Sequence, residues 1–341
     1  YPRASESIES MIALIGKLIE SNNAYIGTDG SVFFDARTFS TYGELSGNKL
    51  DQLRPGHRFS SDVDPAKRFH ADWALWKKSG PTRTQLVWQT PWGLGFPGWH
   101  TECSAMSLDI LGNEIDIHTG GIDLRFPHHE DERAQSNSIV GHEVVRHWIH
   151  AEHLLFEGRK MSKSSGNVVL VSDVTSRGLD PLSLRLAFLQ HRYRQQMNLT
   201  WEVIEGAETT LKRWRIRVAE WAKLPSSTLD TDAVNKINAA FNEDLDTPLA
   251  LQHLRTVERD NTLSDGAKFE TFAHVDRLFG LDLTRDVGRP PAPTSLEVEG
   301  LLAERKSARA NKDWAGSDRL RDALAELGVI VVDTAEGQQV N

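Results

Sequence analysis

Three strings decide how this chain reads: Gly98-Trp99-His100-Thr101-Glu102-Cys103, Phe126-Pro127-His128-His129-Glu130-Asp131-Glu132 and Lys160-Met161-Ser162-Lys163-Ser164-Ser165-Gly166-Asn167. The first holds the only cysteine of the chain. Thiol, imidazoles, carboxylates and a lysine loop gathered in one stretch compose a metal and phosphate site rather than a core.

His128 and Glu132 stand four apart, so on a helix they share a face. Pro127 suits a first-turn position, where its missing N–H is not needed. The polar run through Gln135 and Asn137 to Gly141 predicts a short helix with a glycine stop. Cys103 lies at the start of another helical run, with Met106, Ile110 and Leu111 expected on its apolar side. Thiolate, imidazole and carboxylate are all zinc ligands, and zinc is usually four-coordinate. Three candidates converge, so a fourth ligand is expected from elsewhere. A lone cysteine is by itself more often a small buried hydrophobe; the His-x3-Glu pair behind a proline turns the reading toward zinc. In the third string, Lys160 and Lys163 flank Met161-Ser162 ahead of two serines and Gly166. Small residues let that backbone move, and two ammoniums can meet polyphosphate charge. A solvated basic loop is the plainer alternative, but the whole string is rare by chance.

Lys160–Ser164 resembles the signature loop of class I aminoacyl-tRNA synthetases. Pro97-Gly98-Trp99-His100-Thr101-Glu102-Cys103-Ser104-Ala105-Met106 closely resembles the cysteinyl-tRNA synthetases. So does Asp116-Ile117-His118-Thr119-Gly120-Gly121-Ile122-Asp123-Leu124, which leads into the Pro127–Glu132 motif. The resemblance runs the length of the chain. It implies an α/β fold: the second part of a class I synthetase Rossmann-like catalytic domain with its insertion, then an α-helical bundle and a small C-terminal domain. The implied divisions are an insertion segment at 1–97, the second half of the nucleotide-binding domain at 98–170 and a stem-contact connection at 171–205. A tRNA-binding bundle at 206–284, a linker at 285–294 and an anticodon-recognition domain at 295–341 follow.

The resemblance also implies a chemistry. L-cysteine would be activated with ATP and Mg2+ to cysteinyl adenylate and transferred to tRNA(Cys), with one zinc ion selecting the substrate thiolate. Cys103, His128 and Glu132 fall on three of the four zinc ligands. Trp99 and His118 fall on residues of the cysteine pocket, and Asp123 on one near the substrate amine. Lys160 and Lys163 fall on the signature-loop lysines, Lys163 on the one that contacts ATP. Two alternatives stand beside this. A cysteine–amino-sugar ligase of thiol biosynthesis shares the zinc and lysine motifs, although it typically lacks a region like Leu296–Asp333. A paralogue that only binds tRNA is the other. The family's first half-fold, with a His-x-Gly-His motif and the remaining zinc cysteine, would precede Tyr1. No such motif occurs here, since Val140-Gly141-His142 is not one. The chain is therefore expected to lack its amino-terminal part and to activate cysteine poorly alone.

With 341 residues the chain should hold more than one domain. One cysteine excludes an internal disulfide and fits a reducing, cytoplasmic setting. No apolar run approaches a membrane span, and no secretory signal opens the chain. A formal charge of −9 argues against indiscriminate nucleic-acid binding but not against a local basic face. A monomer is expected.

Local patterns fill in the rest. Residues 5–21 carry a helical stripe of Ile8, Met11, Ile12, Ile15, Leu18 and Ile19. Tyr25-Ile26 and Val32-Phe33-Phe34 flank a hairpin turn at Thr28–Ser31. The polar run 47–67 reads as loop, and Asp72–Lys77 as an aromatic core cluster. Glu114–His118 alternates like a half-buried strand. His150 and His153 flank strand-like apolar runs and read as hydrogen-bonded structural histidines. Asp180 and Pro181 read as cap and first residue of a helix. After Trp201, a stripe of Leu211, Trp214, Val218 and Trp221 faces Lys212, Arg213, Arg215 and Arg217, a candidate phosphate-tracking face. Thr247 is expected to cap a helix starting at Pro248, and Gly280 to end the bundle. Two further helices, 296–312 and 315–327, precede a strand at 329–333. Arg305, Lys306, Arg309, Arg319 and Arg321 enrich that last domain in positive charge.

Overall fold

Helix α1 (Ile8–Glu20) buries Ile8, Met11, Leu14, Ile15 and Leu18, as an amphipathic stripe should. That stripe lies in one core with Val32, Phe34, Trp73, Leu75 and Trp76. The computed structural model describes residues 1–53, 64–161, 168–289, 296–327, 329, 331–334 and 337–340. It divides into two compact units, Tyr1–Leu155 with Tyr193–Asn198, and Phe156–Arg192 with Leu199–Asn341.

In the first unit, strands β1 (Ala24–Ile26), β2 (Val32–Phe34), β3 (Trp73–Lys78), β4 (Trp88–Thr90) and β5 (Gly93–Pro97) form an antiparallel sheet in the order β1-β2-β3-β5-β4. The expected hairpin is present: Tyr25 pairs with Phe33, and Asp29 Oδ1 accepts from the Ser31 N–H at 2.8 Å. The aromatic cluster is core, as read. Trp73 stacks on Phe34 with ring centroids 4.4 Å apart, and Trp76 is fully buried.

Strand β5 delivers the chain to the site. Gly98 follows it, and its N–H donates to Leu75 O on β3 at 2.8 Å. A Cβ at Gly98 would lie 1.9 Å from Ala74 O, so only glycine allows this approach. Helix α2 (Trp99–Leu111) starts there and buries Thr101, Ser104 and Ala105. The expected apolar side is not the buried one: Ile110 and Leu111 are 57% and 62% exposed. Close packing against β3 and α1 selects the face with small residues, and Thr101 Oγ1 donates to Leu75 O at 3.3 Å.

Strand β6 (Ile115–Gly121), helix α3 (Glu130–Val140) and strand β7 (Val145–Ala151) form a βαβ unit. The two strands pair in parallel, Ile115 beside Val145 through Gly121 beside Ala151. Parallel pairing requires such a crossover, and here the crossover carries His128 just before α3 and Glu132 in its first turn. Alternation along β6 fails at Ile117, which is 57% exposed.

Beyond residue 170 the second unit is mostly helical: α4 (Val171–Ser176), α5 (Pro181–Leu189), α6 (Trp201–Trp221), α7 (Thr231–Asn242), α8 (Thr247–Arg259), α9 (Asp265–Phe279), α10 (Leu296–Ala310) and α11 (Trp314–Glu326). Asp180 caps α5 by accepting from the Leu182 N–H at 2.9 Å, and Gly280 ends α9 at φ 63°. The cap of α8 is Asp246, not Thr247; its carboxylate accepts from the Leu249 N–H at 3.3 Å. A carboxylate outcompetes the neighbouring hydroxyl for that orphan donor.

The predicted basic face of α6 is largely internally neutralised. Arg215 is buried; it pairs with Asp180 at 2.6 Å and donates to the carbonyls of Leu281 and Asp282. Arg213 and Arg217 share buried Glu258, and Lys212 pairs with Glu208. The small terminal fold behaves alike. Val331–Thr334 pairs antiparallel with Gly337–Val340, a second strand the sequence did not suggest. Arg305, one of the residues that enrich this domain in positive charge, is 1% exposed and grips Asp333 at 3.0 Å.

Candidate metal centre

The second candidate string folds as its spacing requires. Phe126 is extended (φ −142°, ψ 131°), and helical backbone runs from His128 into α3, which Gly141 ends in the left-handed region. His128 Nε2 then lies 2.8 Å from Glu132 Oε1. Cys103 reaches the same point from α2: one ligand atom each from Cys103, His128 and Glu132 all lie within 4.8 Å of one another. His118 on β6 closes from the other side, its Nε2 3.5 Å from Glu132 Oε2. His118, His129 and Glu132 form a second group whose ligand atoms also lie within 4.8 Å of one another. Gly120 permits this, since a Cβ there would meet the His129 ring at 2.6 Å.

Two tryptophans flank the histidines. Trp99, 58% exposed, lies against His128 with centroids 4.1 Å apart, and Trp148 lies 4.7 Å from His118. Asp123 sits exposed on the short turn of helix after β6. Lys160 ends the short strand Arg159–Lys160 in the second unit, and Lys163 lies outside the described residues.

Sequence reasoning passed over a second layer. His100 Nδ1 lies 2.6 Å from His128 Nδ1, and His100 Nε2 lies 3.3 Å from Asp131 Oδ2. Tyr42 donates its hydroxyl to Asp131 Oδ1 at 2.6 Å. Ser46 donates through N–H and Oγ to Glu130. His150, read as structural, has its Nε2 2.9 Å from His129 Nδ1. The histidines stood in plain view in the motifs; Tyr42 lies far away in sequence and carried no signal.

Electrostatics keep the site neutral where it can be. Burial, reinforced by Glu132 and Glu102, pushes the Cys103 thiol up to about 12. Burial, with neighbouring His128 and Lys77, lowers His100 to about 3. His129 falls to about 3 through burial and the imidazoles of His118, His150 and His128. Burial raises the Asp131 carboxyl, with Glu130 and Glu132 adding to the rise and the Tyr42 donor opposing it.

The donors fit a soft divalent cation. Glu132 Oε1 is buried with no hydrogen-bond partner among the described residues, although it faces His128 Nε2 at 2.8 Å. Two acceptors turned on one another beside a thiol make sense with a positive ion between them.

Comparison with known proteins identifies the family. Residues 1–209 match the tRNA synthetases class I (C) catalytic domain, and residues 293–340 match the cysteinyl-tRNA ligase anticodon binding domain. The cysteine–tRNA ligase of Methylocella silvestris is 42% identical over 347 residues, covering 98% of this chain and 73% of its own length.

The chain belongs to the cysteine–tRNA ligase family.

The cysteine–tRNA ligase of Thermus thermophilus is 40% identical over 357 residues, with the same shares of each chain covered. The fold resembles Mycobacterium tuberculosis methionyl-tRNA synthetase bound by methionyl-adenylate, at a TM-score of 0.50 and 16% identity over 91% of this chain and 77% of that one. That likeness concerns the class I architecture alone. As a member of the cysteine–tRNA ligase family, the chain is a class I synthetase, an enzyme that uses ATP. Among the described residues no helix is long and apolar enough to cross a membrane.

Proposed function

We propose that this chain ligates L-cysteine to tRNA(Cys). A cysteine carboxylate oxygen attacks the α-phosphorus of ATP, giving cysteinyl adenylate and pyrophosphate, with Mg2+ on the phosphates. A terminal hydroxyl of the tRNA then takes the acyl group and releases AMP. Such chemistry leaves the protein mainly positioning and charge stabilisation.

Cys103, His128 and Glu132 would hold one zinc ion. When bound, zinc supplies a thiophilic Lewis acid that favours a thiolate over the hydroxyl of serine. Trp99 and His118 wall the cysteine side chain, and Asp123 faces the substrate amine. Lys160 and Lys163 bring positive charge to the phosphates, Lys163 as pyrophosphate charge develops. The helices after Trp201 and the last domain meet the tRNA. The chain acts as a cytoplasmic monomer, a setting that the lone cysteine suits.

The observation that carries this is buried Glu132 Oε1, without a hydrogen-bond partner among the described residues and 2.8 Å from His128 Nε2 beside Cys103. The match of residues 293–340 to an anticodon binding domain favours tRNA over an amino sugar as acceptor. Cysteine-dependent exchange of pyrophosphate into ATP, followed by competition between the two acceptors, tests both halves. Exchange with cysteine and not with serine, and transfer to tRNA, are expected. Transfer to the sugar would assign the chain to thiol biosynthesis instead, and tRNA binding without exchange would make it a binding protein.

A further inference from the structure

Beneath the candidate ligands runs a line of polar contacts: Tyr42 hydroxyl to Asp131 Oδ1 at 2.6 Å, Asp131 Oδ2 to His100 Nε2 at 3.3 Å, and His100 Nδ1 to His128 Nδ1 at 2.6 Å. It ends at His128 Nε2, 2.8 Å from Glu132 Oε1. Tyr42, Asp131 and His128 are buried, and the His100 side chain is only 16% exposed. Each end of the line is fixed by what it can do. The Tyr42 hydroxyl donates to Asp131, which leaves the second carboxylate oxygen to accept. An imidazole that accepts at one nitrogen donates at the other while neutral.

We propose that Tyr42, Asp131 and His100 act as positioning residues that hold His128 in the tautomer with its proton on Nδ1 and its Nε2 lone pair toward Glu132 and Cys103. His100 Nε2 faces the Asp131 carboxylate at 3.3 Å, and we assign the His100 proton to that nitrogen, which leaves the lone pair on His100 Nδ1. His128 must then donate from Nδ1, because two lone pairs cannot share 2.6 Å. Its Nε2 is thereby left basic beside a carboxylate oxygen with no hydrogen-bond partner among the described residues, an arrangement that a metal cation would complete. Ligating histidines are commonly oriented by a hydrogen bond from the other ring nitrogen to a carboxylate or carbonyl. Here the carboxylate stands one imidazole further back. The reason is geometric: α2 places His100 between His128 and Asp131, and the Trp99 ring, 4.1 Å from His128, limits rotation about χ2. This inference rests on the zinc reading above but assigns new residues to it.

Zinc affinity of the folded chain, measured by competition with a chromophoric chelator, tests it in wild type, His100→Leu, His100→Gln and Tyr42→Phe. His100→Leu should weaken zinc by about 10- to 100-fold, the range found when such supporting groups are removed. His100→Gln, whose amide oxygen can still accept from His128 Nδ1–H, should recover most of that loss. Tyr42→Phe should lose less than His100→Leu. Long-range 1H–15N spectra of the zinc-loaded wild type should show His128 ligating through Nε2 with its proton on Nδ1. Wild-type affinity in His100→Leu, equal losses in His100→Leu and His100→Gln, or ligation through His128 Nδ1 would each overturn the relay while leaving the zinc site standing. A wild-type chain that binds no zinc would overturn both. Should His100→Leu misfold, the glutamine variant and the wild-type spectrum decide the matter.

Discussion

Gly98→Ala should damage the metal centre without touching a ligand. Its added Cβ would sit 1.9 Å from Ala74 O on β3. Ordinary contact needs about 3.5 Å, so the start of α2 must back away by roughly 1.5 Å or β3 must distort. Overpacking of this kind costs about 1–3 kcal/mol, which lowers the melting temperature by several degrees in a unit of this size. Trp99, His100 and Cys103 ride on the displaced end. Functional constellations tolerate about 0.5 Å of displacement, so zinc affinity should fall well beyond what the stability loss alone would cause. The control is Gly16→Ala on α1, where a Cβ meets nothing within 4 Å. That variant should be as stable as wild type or gain about 0.5–1 kcal/mol from helix propensity, with zinc unchanged. Thermal denaturation and chelator competition on the two variants give the answer. Equal melting temperatures and equal zinc affinities for Gly98→Ala and wild type would refute the claim that the approach of α2 to β3 sets the ligand geometry.

Cys103→Ser should abolish measurable zinc binding while circular dichroism stays that of a folded chain, and Glu132→Gln should weaken zinc less, since the amide keeps shape but is a poorer ligand; metal analysis of the purified variants settles this, and zinc at the unmutated level in Cys103→Ser would show the site to be wrongly chosen. Zinc affinity should climb with pH by about tenfold per unit for the thiol proton alone, because zinc needs thiolate. With the Cys103 thiol raised from 9.0 to about 12, that climb should continue past pH 9 instead of flattening there. The same shift has a stability sign. In the metal-free chain its contribution is fully present below the ordinary thiol value and is lost as pH rises toward about 12, because the unfolded thiol ionises first. Denaturant titrations without metal at pH 8 and pH 10 read this out, and equal stability would contradict it. Arg305→Met should loosen only the terminal fold by stranding Asp333 and Gln338, about 1–3 kcal/mol given that Asp333 is partly exposed. Limited proteolysis should then cut within 296–340 while zinc content holds, and an unchanged cleavage pattern would return Arg305 to the role of a surface contact.

The sequence determined many of the elements and which side chains have donor atoms able to hold a metal. Local pattern placed α1, the β1–β2 hairpin, the buried aromatic cluster at Asp72–Lys77 and the caps at Asp180 and Gly280, because those signals are local: an apolar stripe or a capping group acts within a few residues of itself. His128 and Glu132 could be paired from sequence because four residues make one helical turn. Tertiary structure decided what local pattern could not. Which face of α2 is buried depended on the close approach of Gly98 to β3, so Ile110 and Leu111 stayed exposed while Thr101 and Ser104 went inside. Whether an arginine is a free cation depended on which carboxylate the fold brought near, as with Arg215 and Asp180 or Arg305 and Asp333. The partnership of Tyr42 with Asp131, and through it with His100 and His128, joins residues that no helical or strand period relates. Spacing can name the atoms able to bind a metal, but only packing between distant segments sets where their lone pairs point.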